Sequence, residues 1–158
     1  MFWANQIGSG AGCCPTYFVA READGSACGI FCAGPPKTVR AFCFKPATFG
    51  EEAIVQREAI EDDEWHHVAA VFSGVSGRKF YIDGDLVASS EKFTSTFDNF
   101  QGTNTYMARG RTFNPIKQVK GAIDEFAIVK KALTDEVVQQ SLKGVEKILA
   151  VQPSDKLP

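Results

Sequence analysis

Residues 63–84 read DEWHHVAAVFSGVSGRKFYIDG, and the fold class turns on this stretch. An acidic turn over 61–64 gives way at Trp65 to a run rich in aromatic and β-branched side chains, which fit a pleated, half-buried surface. That run predicts a strand over 65–72. Gly74 and Gly77 bracket a loop that reverses the chain. Lys79-Phe80-Tyr81-Ile82 then leads into Asp83-Gly84, the dipeptide that suits a type I′ hairpin because both turn positions need φ > 0. Leu86-Val87-Ala88 is the returning strand. Three short antiparallel strands in succession are the seed of an all-β domain.

The same period of two extends outward in both directions, with turn residues about every eight to twelve positions, the signature of a sandwich or barrel. Upstream, strands are predicted at 17–20, 27–34, 38–45 and 53–57, with turns at Asp24-Gly25 and Pro35-Pro36. Downstream, 89–105 is a long polar connection, and long loops over a rigid sheet often carry binding groups. The last strands are predicted at 106–109 and 121–129. Thr134 is placed to cap a short helix, with Val137, Val138, Ser141 and Leu142 at helical spacing and Gly144 as its stop. The expected organisation is one β-sandwich domain over 1–150 and a Pro-bearing tail over 151–158.

The chain has 158 residues, 13 of them Phe, and a net charge of −2. Nucleic acid is excluded as a partner because phosphate neutralisation needs clustered Lys and Arg; Arg109, Arg111, Lys117 and Lys120 read instead as a solvated strand edge. No run has the length to insert in a bilayer, and Met1 to Asn5 lack the pattern of a secretory leader. The expectation is a piece of a longer secreted protein whose first strand is shortened. A shortened strand would leave an open sheet edge, so a strand-mediated homodimer is expected as well.

Five cysteines, Cys13, Cys14, Cys28, Cys32 and Cys43, lie in the first third. A hairpin around Pro35-Pro36 sets Cys28 nearly opposite Cys43, within disulfide reach, and leaves Cys32 to Cys13 or Cys14. Disulfides or plain buried thiols are favoured over zinc, since neither the adjacent pair nor the CxxxC spacing supplies paired ligands.

Two stretches carry a family likeness: Asp63 to Phe72 followed by Phe80-Tyr81-Ile82-Asp83-Gly84, and Gly121-Ala122-Ile123-Asp124-Glu125-Phe126 running into Lys131-Ala132-Leu133-Thr134. Together they resemble the laminin-G-like, concanavalin A-like lectin/glucanase superfamily. The resemblance implies a two-sheet antiparallel jelly-roll sandwich, here with one short C-terminal helix. It also implies an extracellular or cell-surface setting, a glycan or extracellular protein ligand, and often a structural calcium ion.

Asp124 is the residue at the position where that resemblance implies a calcium ligand, assisted by backbone carbonyls of an early strand. It falls in the apolar run 122–129, where an ionised carboxylate must be paired, hydrogen-bonded or bound to a cation. Calcium demands about six to eight oxygens. The alternative is an Asp that accepts backbone N–H groups and tethers the chain. For a sugar, the requirement is an aromatic face to stack on the ring with Asn, Asp or Arg beside it. Asn104, Tyr106, Arg109 and Phe113 supply such a set, and Trp3 with Asn5 a second, although most of these aromatics suit a core equally well.

Catalysis finds little footing. Retaining glycosidases need two carboxylates flanking one bond, and Asp83 and Asp85 have the right spacing only in a hairpin turn. His66 and His67 point to opposite faces of their strand and have no nucleophile motif near them. The expected function is a non-catalytic recognition module, carbohydrate-binding or adhesive. A structural accessory domain and a hydrolase-related domain are the alternatives.

Overall fold

The structure is a computed structural model that describes residues 1–9, 16–33, 38–45, 50–56, 60, 62–100, 104–108 and 119–144. Among them ten strands and one helix follow in order: β1 (Phe2–Ser9), β2 (Thr16–Arg21), β3 (Ala27–Ala33), β4 (Thr38–Lys45), β5 (Gly50–Gln56), β6 (Trp65–Ser73), β7 (Gly77–Ile82), β8 (Asp85–Ser90), β9 (Asn104–Met107), β10 (Val119–Asp124) and α1 (Asp135–Ser141). A 3₁₀ turn spans Phe97–Asn99. The strands form two antiparallel five-stranded sheets, β10-β1-β6-β7-β8 and β5-β4-β3-β2-β9. The expected two-sheet sandwich with one short C-terminal helix is what forms.

Alternation along each strand sends one set of side chains between the sheets. Phe2 and Ala4 of β1, Val68 of β6 and Phe80 of β7 meet Tyr17, Ile30, Val39, Ala41 and Ile54 of the second sheet there. Aromatic rings dominate this layer, with Phe2 5.3 Å from Tyr17 and Phe18 5.2 Å from Phe126. Burial of such rings is the main favourable term of a sandwich core.

Several sequence expectations are met closely. Asp83 and Gly84 take φ of 52° and 83°, so the β7–β8 turn has the two left-handed residues that Asp-Gly was expected to supply. Cys28 and Cys43 are cross-strand partners in the β3–β4 ladder and form a disulfide with Cα atoms 4.0 Å apart. Thr134 caps α1 by accepting from the Val137 N–H, and Gly144 adopts a positive φ just beyond the helix. Val138 of α1 packs on Ala69, Val71 and Tyr81, so the helix covers the outer face of the first sheet. Cys13, Cys14, the Pro35-Pro36 turn and the tail over 151–158 lie outside the described residues.

Two expectations are corrected. The strand expected over 121–129 ends at Asp124, because Glu125 takes φ 47° and breaks the ladder. The apolar residues beyond it serve loop packing instead: Phe126 stacks on Phe2 at 5.9 Å. β1 is no open edge either. It pairs with β10 on one side and β6 on the other, so the edges of the first sheet are β10 and β8, and the open edge expected at the first strand is filled.

Candidate functional site

The second sheet has an outer face of its own. β4 turns Val39, Ala41 and Cys43 inward, so Arg40, Phe42 and Phe44 lie on the opposite side. There Phe42 packs with Val19 and Ala27, and Phe44, Ala53 and Tyr106 join them. On edge strand β9, Tyr106 pairs with Val19 and Asn104 pairs with Arg21. Residues two apart on a strand share a face, so Asn104, Tyr106 and Arg21 lie together at one edge of this surface. Asn104 is exposed and Tyr106 half-buried. Two of the four residues expected to bind ligand are thus placed side by side; Arg109 and Phe113 lie outside the described residues. Arg21, which the sequence did not single out, completes the set, and the signal for it was the register across β2 and β9.

Trp3 and Asn5 are engaged elsewhere. Trp3 sets its ring edge-on to His67 at 5.3 Å, and the Asn5 amide donates to the Asp63 carbonyl at 2.7 Å. Asn5 therefore fastens the 62–64 turn to β1.

The histidines diverge as expected for adjacent strand residues. His66 lies between two carboxylates, Nδ1 2.7 Å from Asp83 and Nε2 3.0 Å from Asp62. Burial opposes its protonation, but the hydrogen bonds to Asp83 and Asp62 outweigh it and raise its pKa above 6.5. His67 is buried, with Nε2 3.1 Å from the Ser141 hydroxyl, which itself donates to the Val138 carbonyl at 2.5 Å. Nε2 is then the protonated nitrogen, and Nδ1 has no hydrogen-bond partner among the described residues. Burial lowers the His67 pKa to about 4. Ser141 is fully buried, so this pair ties α1 to β6 and offers no nucleophile to a substrate.

The two histidines therefore link stability to pH in opposite senses. His67 takes a proton in the unfolded chain below 6.5 and refuses it in the folded one until about 4, so it withdraws stability as pH falls across that window. The His66 contribution is fully present below 6.5 and is lost as pH rises through its raised folded pKa. A proton-NMR titration is expected to show His66 charging above 6.5 while His67 stays neutral near pH 5. The reverse order would refute both assignments.

A polar network inside the sandwich escaped the sequence reading. Arg78 on β7 is fully buried; it donates to the Glu52 carbonyl and, through Nη2, to the Ser95 carbonyl at 2.9 Å and hydroxyl at 3.0 Å. Its guanidinium lies 4.8 Å from the centre of the Phe72 ring. The Glu52 carboxylate, 3.5 Å away, also accepts from Ser95 N–H and hydroxyl. Burial lowers the Arg78 pKa to about 10, partly offset by Glu52, so the group is charged at neutral pH. The strand's parity was the available signal: Arg78 lies two positions before the core residue Phe80 and so shares its inward face.

Asp124 is exposed, not buried in an apolar strand, and its carboxylate accepts the Glu125 N–H at 2.8 Å. This bond is local to the β10 terminus, between neighbours in the chain. Among the described residues no three His, Cys, Asp or Glu side chains converge, so any calcium at Asp124 would have to draw most of its oxygens from backbone carbonyls. No described strand carries acidic residues two positions apart either, the arrangement a strand-borne carboxylate pair would take.

No curated protein matches the chain. Among solved structures, the crystal structure of an S-layer domain-containing protein (residues 221–444) from Clostridium thermocellum ATCC 27405 is similar over 86% of this chain, at 20% sequence identity and a TM-score of 0.45. The match spans 64% of that chain. A family model described as the concanavalin A-like lectin/glucanases superfamily (Laminin_G_3) matches residues 12–139. With its two antiparallel five-stranded sheets and a match over most of its length, the chain belongs to this concanavalin A-like lectin/glucanase family.

Proposed function

We propose that the chain is a non-catalytic recognition module of a cell-surface or secreted protein, and that it binds carbohydrate on the outer face of the second sheet beside β9. One observation carries the proposal: an aromatic ring, a carboxamide and a guanidinium, from Tyr106, Asn104 and Arg21, occupy adjacent positions on one face of an edge strand and its neighbour. A sugar ring needs an aromatic surface for its C–H face and planar donors and acceptors for its hydroxyls, and this trio has both. The family membership supports it, since the superfamily's name joins lectins with glucanases. The lack of paired strand carboxylates among the described residues favours binding over hydrolysis.

A second reading, a structural accessory domain, is favoured by the burial of Val19, Ala27 and Phe42 on the same face. A glycan array separates the two. Binding is expected, with affinity reduced about tenfold in Asn104→Ala, the equivalent of one well-placed hydrogen-bonding contact. The thermal midpoint of Asn104→Ala, measured alongside, separates lost binding from lost stability. An array blank at every concentration would leave the structural reading in place.

A further inference from the structure

A cavity of about 650 Å³ lies where β6 ends, beneath the chain that follows β10. Phe2, Phe18, Ile30, Phe72, Phe97 and Phe126 are among the apolar residues of its wall. Its size is that of a small-molecule site. A space walled by such side chains gives water few hydrogen-bonding partners, while leaving it without atoms forfeits dispersion contacts all round. An apolar chain answers both conditions.

The lining carries polar groups as well, Ser73 and Thr96 among them. Lys130 and Lys131, consecutive in the chain, both line it and are exposed, and neither forms an ion pair among the described residues. Asp98 of the 3₁₀ turn lies on the lining as well, so a ligand's charged end must choose between the two lysines and the lone carboxylate. Two adjacent cations favour an anion. The exposed Ile128, also on the lining, adds apolar surface next to the lysines.

We propose that this cavity binds a free single-chain amphiphile, an unbranched acyl chain ending in a carboxylate, with the chain among the phenylalanines and the carboxylate at Lys130 and Lys131. The site is separate from the β9 face and stands or falls independently of carbohydrate binding.

Calorimetric titration of the full chain with decanoate, and with decyltrimethylammonium as the cationic counterpart of similar tail, tests the proposal. Decanoate is expected to bind saturably at one site, and the cation at least about tenfold more weakly. The surface double substitution Lys130→Glu with Lys131→Glu should reverse that preference without shifting the thermal midpoint. Ala70→Leu, which adds volume to the wall, should weaken decanoate in protein that still unfolds cooperatively. Absence of saturable decanoate binding, or equal affinity for the two head groups, would overturn it. So would binding to phosphatidylglycerol vesicles by protein that ignores free decanoate, since a bilayer surface would then be the ligand.

Discussion

Replacing Arg78 with methionine is expected to cost about 3–5 kcal/mol of folding stability, the range found when one partner of a buried ion pair is removed. The guanidinium spans the sandwich, rooted on β7 and bonded to the backbone of Glu52 on β5 and of Ser95 beyond β8. Methionine fills much of the volume but leaves both carbonyls without this donor and the Glu52 carboxylate without its counter-charge. Because the Glu52 side chain keeps some contact with water, 15% of its surface, the loss should fall toward the lower end. Arg78→Lys should restore little, since a single ammonium cannot reproduce a fork reaching three acceptors. Adding Glu52→Gln to Arg78→Met should recover part of the loss, because glutamine still accepts from Ser95 while carrying no charge. Urea denaturation of the four proteins decides the matter. A loss below about 1 kcal/mol for Arg78→Met would mean that the network is dispensable.

Removing the Cys28–Cys43 disulfide by a double alanine substitution should lower stability by about 2–4 kcal/mol. The bridge closes a segment of 15 residues, for which the chain-entropy account gives about 3 kcal/mol. Both sulfurs are fully buried beside Phe100, so reductant should act slowly on the native protein and quickly once denaturant opens the sandwich. Peptide mapping by mass spectrometry should recover the Cys28–Cys43 linkage from folded protein treated briefly with dithiothreitol. An unchanged urea midpoint in the alanine pair would show that the bridge adds nothing to cohesion already supplied by the β3–β4 ladder.

What the sequence revealed, and what it concealed, follows from the range of each interaction. Asp83-Gly84 was legible because two left-handed φ values are a local demand that few dipeptides meet. Cys28 opposite Cys43 was legible because hairpin register is set by the turn between the strands. The overlong strand at 121–129 came from reading apolar content as pairing; Phe126 packs against Phe2 and Phe18, contacts no local pattern encodes. The interior place of β1 was hidden for the same reason, since its neighbours β6 and β10 are far along the chain. At the candidate site, Asn104 and Tyr106 were legible as a pair two apart, whereas Arg21 joins them through strand pairing alone. The cavity near Lys130 and Lys131 depends on the meeting of several segments far apart in the chain and left no trace in any one of them.

The position of β1 also sets a timetable for the nascent chain. Trp3 pairs with His67 and with Asp124, so during synthesis the first strand must wait for β6, and its second partner is made far later. β2 to β5, by contrast, are sequential neighbours in their sheet and can zip as they emerge, since short loops close at little entropic cost. On the ribosome the second sheet therefore has its four-stranded core before the first sheet has a centre. Until residues 119–124 arrive, Phe2 and Ala4 belong to a strand with one flank unpaired, and that interval is when the chain is most exposed to association with its own copies.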